Sequence, residues 1–330
     1  AVAPDAAAMA TVREKLPRLA ADLLREEVAP LDVAAVISEV MRAMTGRAAE
    51  LAQAEMAARG EGAPAPFCVL ILGSGGRGES LLAPDQDNAL IHAGTASDDA
   101  WFQEFGRRLN RLLDDAGVPY CKGGVMVARP LWRADVAGWR KRIDGWIAHP
   151  SPEHLLNVDI FFDFQPVHGD RRLAAALREE ALTRASGAFD FLKLLSVQLD
   201  AYRAPLGLFG RFTAPGGRLD LKIGGLFPIV AGARTMALRY GVDKTATPMR
   251  LRALHDAGRL AAADLSSLTV AHQLLTGLLL KQQIADVEAG LKPSSGVELT
   301  RIDRRVGPVL KETLRRLEDV PAMVRNALAG

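Results

Sequence analysis

The chain has 330 residues, 49% of them hydrophobic and 24% charged, which is enough for two or three compact units that each bury a core. Its 41 Lys and Arg residues nearly balance 39 Asp and Glu residues, so the formal net charge is only +2. This balance leaves no global electric field to attract nucleic acid or anionic lipid. Any phosphate-binding site must therefore be local.

The apolar stretches are too short to cross a membrane. The longest, such as Phe67–Leu72 and Leu274–Leu280, fall well short of the roughly 20 residues that a spanning helix needs. Near the N-terminus, Asp5 and Arg13 interrupt the apolar region that a signal peptide requires. We therefore expect a cytoplasmic protein.

The first part of the chain is predicted to be helical. Apolar residues recur at helical spacing from about Thr11 to Arg59, Asp32 offers an N-cap, and Pro17 and Pro30 divide the stretch into shorter helices. The segment Gly60–Pro66 then mixes glycine and proline, as is typical of a connector. We place a domain boundary at this connector.

Beyond the connector, short apolar runs of strand length alternate with helical stretches. The predicted strands are Phe67–Leu72, Ala89–His92, Val125–Ala128 and Val158–Phe164. From Arg171 onward the spacing is helical again, with a leucine-rich segment at Leu265–Leu291. The sequence thus predicts three parts: a helical segment over 1–60, a mixed α/β domain over 61–172 and a helical domain over 173–330.

One segment carries most of the chemistry. Residues 68–91 have the pattern of a strand, a glycine-rich turn, a short helix and a second strand. Glycines let a backbone approach a ligand closely, and backbone N–H groups at the start of a helix can receive phosphate oxygens. Gly73 and Ser74 are therefore candidate triphosphate contacts.

Two aspartates follow this turn. If Asp85 and Asp87 lie on a strand, both carboxylates point to the same face and Gln86 points away. Magnesium prefers carboxylate, phosphate and water oxygens, so the pair suits a metal–triphosphate complex, and a second ion would activate an attacking hydroxyl. Either feature alone also occurs in ordinary turns. Their combination within about a dozen residues, between two apolar strands, favours a functional site.

The segment resembles the DNA polymerase β-type nucleotidyltransferase superfamily, whose signature is Gly-Ser or Gly-Gly followed by an Asp-x-Asp strand. A narrower resemblance is to the nucleotidyltransferases related to the PII uridylyltransferase and the glutamine-synthetase adenylyltransferase. The residues that carry it are Gly73-Ser74-x-x-Arg77-Gly78-Glu79 and Asp85-Gln86-Asp87-Asn88-Ala89-Leu90, with further similarity over Gly117–Met126, Asp163–Asp170 and Asp220–Val230.

The resemblance implies an α+β fold, in which a polymerase β-type core with a mixed sheet is flanked by N-terminal helices and a C-terminal helical substrate-binding bundle. It also implies an enzyme that uses an NTP and Mg²⁺, with two ions and Mn²⁺ as a substitute, to modify an acceptor such as a protein in a signalling role. Family members often carry preceding cyclic-nucleotide-binding and CBS modules, and neither module is recognisable in this chain. Pro84 and Arg129 depart from the residues that relatives usually have.

The superfamily usually adds a third acidic residue from a later strand. In the predicted strand Val158–Phe164, Asp159 and Asp163 would lie on one face. Asp163 sits in the segment that best matches the family, so we expect it to complete the metal and catalytic set with Asp85 and Asp87. Asp159 stays open as the alternative, and so does a structural ion pair.

Four further charged residues are candidate nucleotide contacts. Arg77 and Glu79 either form an ion pair that shapes the turn or bind the nucleotide, with Arg77 reaching a phosphate. Lys122 lies in a glycine-rich segment and could contact a triphosphate. Lys222, in the helical domain, could line the nucleotide or acceptor pocket. For both lysines a solvated or helix-end charge is the alternative.

The cysteines and tryptophans are assigned structural roles. Cys68 and Cys121 have neither the number nor the spacing of a zinc site or a disulfide framework, so we expect buried thiols. Trp132, Trp139 and Trp146 recur every seven residues and are expected to pack in the core.

Two functions from different classes remain. The first is a metal-dependent nucleotidyltransferase, and the second is an inactive nucleotide-sensing or protein-interaction module with the same fold. The presence of Asp85, Asp87 and a candidate third acid favours the enzyme. Direct processing of nucleic acid is disfavoured because no strongly basic run accompanies the site.

Overall fold

A computed structural model describes residues 3–149 and 151–329, which form two compact units. The first unit comprises residues up to Leu16 together with Ala35–Ser80 and Pro84–Arg184. The second comprises Pro17–Ala34, Leu81–Ala83 and the chain from Ala185 onward. Within the described residues, no helix is both long enough and apolar enough to cross a membrane.

The N-terminal region is helical, as predicted. Its helices are α1 (Ala6–Glu14), α2 (Leu16–Arg25) and α3 (Pro30–Ala57). Pro17 is the second residue of α2 and Pro30 is the first residue of α3, positions where the missing N–H of proline is tolerated. Asp32 lies in the first turn of α3, whose N-cap is Ala29, so the predicted N-cap was placed three residues too late. The segment 61–66 contains neither helix nor strand, as predicted, while the domain boundary placed there stays a prediction.

A four-stranded mixed sheet forms the centre of the first unit, with the strand order β3-β2-β1-β4. Its strands are β1 (Phe67–Ile71), β2 (Asn88–His92), β3 (Arg133–Asp135) and β4 (Gln165–Gly169). β1 runs antiparallel to β2 and β4, whereas β2 and β3 are parallel. Ile71 pairs with Asn88, so the end of β1 and the start of β2 lie side by side. The residues after β1 and those before β2 therefore meet at one edge of the sheet.

Helices cover this sheet and bury aromatic side chains. They are the short α4 (Gly73–Arg77), α5 (Asp99–Asp115), α6 (Val136–Ala148), α7 (Pro152–Phe161) and α8 (Arg171–Ser186). Trp132, Trp139 and Trp146 are buried with ring centroids 6.2–6.5 Å apart, which confirms their role in the core. The indole N–H of Trp139 donates to the carbonyl of Leu90 at 2.9 Å and so anchors α6 to β2.

The predicted strand Val158–Phe164 is wrong, because most of this segment belongs to α7. Ser151 caps the helix by accepting a hydrogen bond from the backbone N–H of His154, and proline occupies the first turn. Val158 and Phe161 are both buried, three residues apart, as a helix requires. Burial of the helical face outweighs the strand propensity of the aromatic and β-branched residues.

The predicted strand Val125–Ala128 is also wrong, because this segment is a loop. Asn88 makes hydrogen bonds to this loop that a neighbouring strand would otherwise make. Its backbone N–H donates to the carbonyl of Val125 at 3.0 Å, and its side-chain oxygen accepts from the N–H of Val127 at 2.9 Å. The loop's backbone is thus satisfied without a sheet ladder.

The second unit is helical, as predicted for the C-terminal part. Its helices are α9 (Phe189–Asp200), α10 (Phe227–Arg239), α11 (Thr247–Asp256), α12 (Ala262–Glu288), α13 (Val306–Arg316) and α14 (Val320–Ala329). A two-stranded antiparallel ribbon, formed by β5 (Arg218–Asp220) and β6 (Gly296–Glu298), joins them. Arg218 ties this ribbon to α12, because it forms salt bridges with Asp286 at 2.9 Å and Glu298 at 2.6 Å.

Candidate active site

The glycine turn after β1 is in close contact with the second aspartate. Gly73 has a φ of +53°, a conformation that side-chain-bearing residues rarely adopt. A Cβ at this position would also lie 2.8 Å from Oδ2 of Asp87. The backbone conformation therefore favours glycine, and the turn lies close to the Asp87 carboxylate.

The segment that carries the two aspartates has no regular secondary structure and lies just before β2. The N–H of Leu72 donates to the carbonyl of Asp87 at 2.9 Å, which ties this segment to the end of β1. The buried side chain of Gln86 donates to the carbonyls of Asn110 and Val118, both at 2.9 Å. Gln86 thus points into the protein, while Asp85 is exposed and Asp87 is half-buried.

Cys121 joins the two aspartates. Its Sγ and one carboxylate oxygen each from Asp85 and Asp87 lie within 4.8 Å of one another. Burial raises the pKa of the Cys121 thiol to about 11, and the charges of Asp87 and Asp85 act in the same direction. The prediction of a buried thiol is confirmed for Cys68 and wrong for Cys121, which is half-buried. Nothing in the cysteine spacing indicated this position.

The donor set fits a divalent cation. Two carboxylates provide the hard oxygen ligands that Mg²⁺ and Mn²⁺ prefer, and their mutual repulsion is relieved by a positive ion. The thiol is neutral at pH 7, since its pKa is about 11, so it adds no further negative charge. Ser74, Gly75, Asp85 and Asp87 line one small cavity of about 20 Å³, which is sufficient for an ion or a water molecule.

Arg77 forms a buried ion-pair network with two acids. Its guanidinium lies 2.8 Å from the carboxylate of Glu79 and 2.5 Å from that of Asp163, which is fully buried. Burial by itself would lower the pKa of Arg77, but the charges of Asp163 and Glu79 outweigh it and raise the pKa. The arginine therefore stays charged. Its contacts are those of the predicted ion pair that shapes the turn.

Asp163 lies outside the cluster of candidate metal ligands. Among the residues that the structure describes, the group of mutually close ligand atoms comprises Asp85, Asp87 and Cys121. Asp163 instead follows α7 and contacts Arg77, and Asp159 is a half-buried residue of α7. The structure therefore brings together two of the three predicted acids. A metal-binding role for Asp163 remains a prediction.

Backbone contacts fix the rest of the turn. A Cβ on Gly76 would lie 1.9 Å from the carbonyl oxygen of Asp163, so the two segments touch directly. Arg42, from α3, donates to the carbonyls of Gly75 and Gly76, both at 2.9 Å. These donors satisfy carbonyls at the end of a helix too short to do so itself.

The two predicted lysine contacts lie in different units. Lys122 is exposed in a turn directly after Cys121, so it belongs to the same loop as the cluster. Lys222 begins a π-helical turn, Lys222–Leu226, in the second unit and is also exposed. Of the two, only Lys122 lies within the unit that holds Asp85 and Asp87.

A mixed sheet whose edge holds a glycine turn against paired aspartates is typical of nucleotidyltransferases. Comparison with family models agrees. The model described as "Putative nucleotidyltransferase DUF294" matches residues 14–153, and the one described as "Putative nucleotidyltransferase substrate binding domain" matches residues 189–328. The chain belongs to this nucleotidyltransferase family. No curated protein matches the chain.

The contact between Gly76 and Asp163 can be tested by adding one methyl group. Gly76→Ala should lower the free energy of unfolding by roughly 3 kcal/mol, because the new Cβ forces the turn away from the Asp163 carbonyl. Gly145→Ala in α6 is the matched control, since a Cβ there meets nothing within 4 Å, and it should stabilise by about 0.5–1 kcal/mol. Urea unfolding followed by tryptophan fluorescence reports on the first unit. Equal effects of the two substitutions would contradict the contact.

A structural role of Asp163, as the ion-pair partner of Arg77, can be distinguished from a role as a metal ligand. Asp163→Asn removes a buried charge that compensates Arg77, so we expect a loss of roughly 3 kcal/mol in unfolding free energy without any metal present. Asp115→Asn, at an exposed position of α5, should leave stability unchanged. If Asp163→Asn also left stability unchanged, the ion pair would not hold the turn, and a direct metal-binding role would be favoured.

Proposed function

We propose that this protein transfers a nucleoside monophosphate from an NTP to the hydroxyl of an acceptor by in-line displacement at the α-phosphate. The acceptor oxygen bonds to the α-phosphorus as the bond to the bridging β-phosphate oxygen breaks, so that pyrophosphate leaves and the hydroxyl proton passes to solvent. One observation carries the proposal: Gly73 contacts the carboxylate of Asp87, and Ser74 shares a cavity with Asp85 and Asp87. A phosphate-binding turn and a pair of metal-binding acids are the two parts that this reaction requires. Membership of the family supports the same reaction class.

Asp85 and Asp87 are proposed to hold Mg²⁺, with Mn²⁺ as a substitute and two ions in the active complex. When bound, the metal neutralises charge on the phosphates and helps to orient them. The protein contributes the fixed position of the carboxylates. The backbone carbonyl of Asp87 accepts a hydrogen bond from the N–H of Leu72, which holds Asp87 in place. The buried Gln86 fixes the backbone between Asp85 and Asp87.

The glycine turn is proposed to receive the triphosphate. Gly73 and Ser74 offer backbone N–H groups, Ser74 also offers a hydroxyl, and Gly73 has no Cβ to block the approach. Lys122 adds a positive charge from the loop after Cys121. Arg77 acts through the turn, because Glu79 and Asp163 already occupy its guanidinium. We therefore propose Asp163 as a positioning residue. Its role as third metal ligand stays a prediction, which the Asp163→Asn experiment above tests, and Asp159 stays the alternative.

The acceptor is proposed to engage the helical part of the chain. The family model that matches residues 189–328 is described as a substrate binding domain, which supports acceptor binding by this part of the chain. We accordingly propose residues 61–172 as the nucleotidyltransferase domain and 173–330 as the acceptor domain, with Lys222 as a candidate contact. A protein acceptor, modified by uridylylation or adenylylation in a regulatory role, is the favoured class.

Transfer can be measured with labelled ATP, CTP, GTP and UTP, each supplied with Mg²⁺ and cell lysate. Asp87→Asn and Asp85→Asn should each lower labelling by at least about 100-fold, because each removes one candidate metal ligand. The exposed Asp115→Asn is the charge-matched control and should label as the wild type does. Removing the metal with EDTA should abolish labelling, and Mn²⁺ should restore it.

Two other outcomes have distinct meanings. Equal labelling by wild type and Asp87→Asn would contradict the catalytic assignment. If the wild type bound an NTP with a measurable Kd but transferred nothing to any lysate fraction, the protein would be a nucleotide-sensing module with the same fold.

A further inference from the structure

A second, larger cavity lies in the first unit, beside the candidate active site. The exposed side of α5 forms one wall and the loop Tyr120–Pro130 forms the other. Its volume is about 810 Å³, which is within the roughly 300–1,000 Å³ of typical small-molecule sites. The cavity that contains Ser74, Asp85 and Asp87 measures only about 20 Å³. The small cavity has room for an ion, and the large one has room for an organic group.

Residues that line the large cavity contact residues that line the small one. Cys121 lines the large cavity, and its Sγ lies within 4.8 Å of carboxylate oxygens of Asp85 and Asp87. Asn110 lines it as well and donates to the side chains of Gln86 at 2.8 Å and Asn88 at 3.0 Å, the two residues that flank Asp87. A ligand in the large cavity therefore lies next to the candidate metal ligands.

The large cavity is lined by more positive than negative charge. Four arginines lie on its walls, namely Arg107, Arg108, Arg111 and Arg129, against the single acid Glu104. Arg108 is buried, and its two terminal guanidinium nitrogens pair with Glu104 at 2.8 Å and Glu55 at 3.0 Å. These contacts make Arg108 a structural residue rather than a candidate for ligand binding.

The other three arginines are available to a ligand, and Arg107, whose side chain is 63% exposed, reaches Glu104 only at 3.8 Å. Arg111 is 56% exposed and reaches Glu55 only at 3.4 Å. Arg129 is exposed, and within the described part of the chain no carboxylate lies within 4.0 Å of its guanidinium. Arg111 and Arg129 come from opposite walls, α5 and the loop. Guanidinium groups bind phosphates and carboxylates through paired N–H donors, so this arrangement suits an anion held between the walls.

We infer that this cavity, named here the arginine cavity, binds a phosphate-type anionic group of a substrate, with Arg111 and Arg129 as its recognition residues. The inference rests on the proposed function, because the bound group then lies beside Asp85 and Asp87. The anion has two sources: the phosphates of the NTP, or an acidic group on the acceptor. The experiment distinguishes them.

The test uses the full chain with Arg111→Gln and Arg129→Gln combined. The control combines Arg18→Gln and Arg172→Gln, which removes the same charge from side chains that are 90% and 91% exposed and lie outside the cavity. Binding of Mg²⁺ complexes of tripolyphosphate and of each NTP is measured by calorimetry, and transfer is measured by labelling of cell lysate. Unchanged thermal melting of both variants confirms that they fold.

Each source of the anion has its own result. If the NTP supplies it, the cavity variant should bind tripolyphosphate and the preferred NTP at least 10-fold more weakly than the control. If the acceptor supplies it, both proteins should bind the NTP equally, and the cavity variant alone should label its acceptor at least 10-fold more slowly at low acceptor concentration. Either result supports the inference.

Two results would overturn it. If the cavity variant bound the probes and labelled the lysate as the control does, a role for the two arginines would be excluded. Transfer by the wild type in the same experiment would leave the proposed function intact. If the wild type bound no probe and labelled nothing, the inference would fall together with the proposed function.

Discussion

The candidate active site depends on one buried interaction, the pairing of Arg77 with Asp163 and Glu79. A buried guanidinium is costly unless its charge and its donors are met, and here two carboxylates meet them at 2.5 and 2.8 Å. Arg77 is the last residue of the short helix after β1, so fixing its side chain fixes that helix against the segment that follows α7. Gly76 packs against the Asp163 carbonyl so closely that no space remains between the short helix and that segment.

A fixed turn explains how a small number of residues can form a site. Gly73 lies close to the Asp87 carboxylate, and the hydrogen bond from Leu72 holds the same aspartate from its backbone. In the proposed function, a metal and a triphosphate would bind with little rearrangement of the protein, which is the usual basis of efficient positioning. Cys121 lies beside the two aspartates at this edge of the sheet and also lines the arginine cavity.

The sequence predicted those features that depend on local pattern. The strand before Gly73, the helices on either side of the α/β part and the pairing of two acids with a glycine turn all follow from spacing and composition. The segment around Val158 failed because aromatic and β-branched residues predict a strand, while the cap at Ser151 and the burial of Val158 and Phe161 produce a helix. Only tertiary packing decides between them.

Contacts between distant segments were not accessible in this way. Nothing in the local sequence indicates that Cys121 lies beside Asp85 and Asp87, or that Asp163 contacts Arg77, since both depend on how loops are folded against the sheet. The most direct test of the account is a crystal soaked with Mn²⁺ and a non-hydrolysable NTP, examined by anomalous scattering. We expect a manganese peak between Asp85 and Asp87, with the triphosphate against Gly73 and Ser74. Manganese and nucleotide bound away from both aspartates would contradict it.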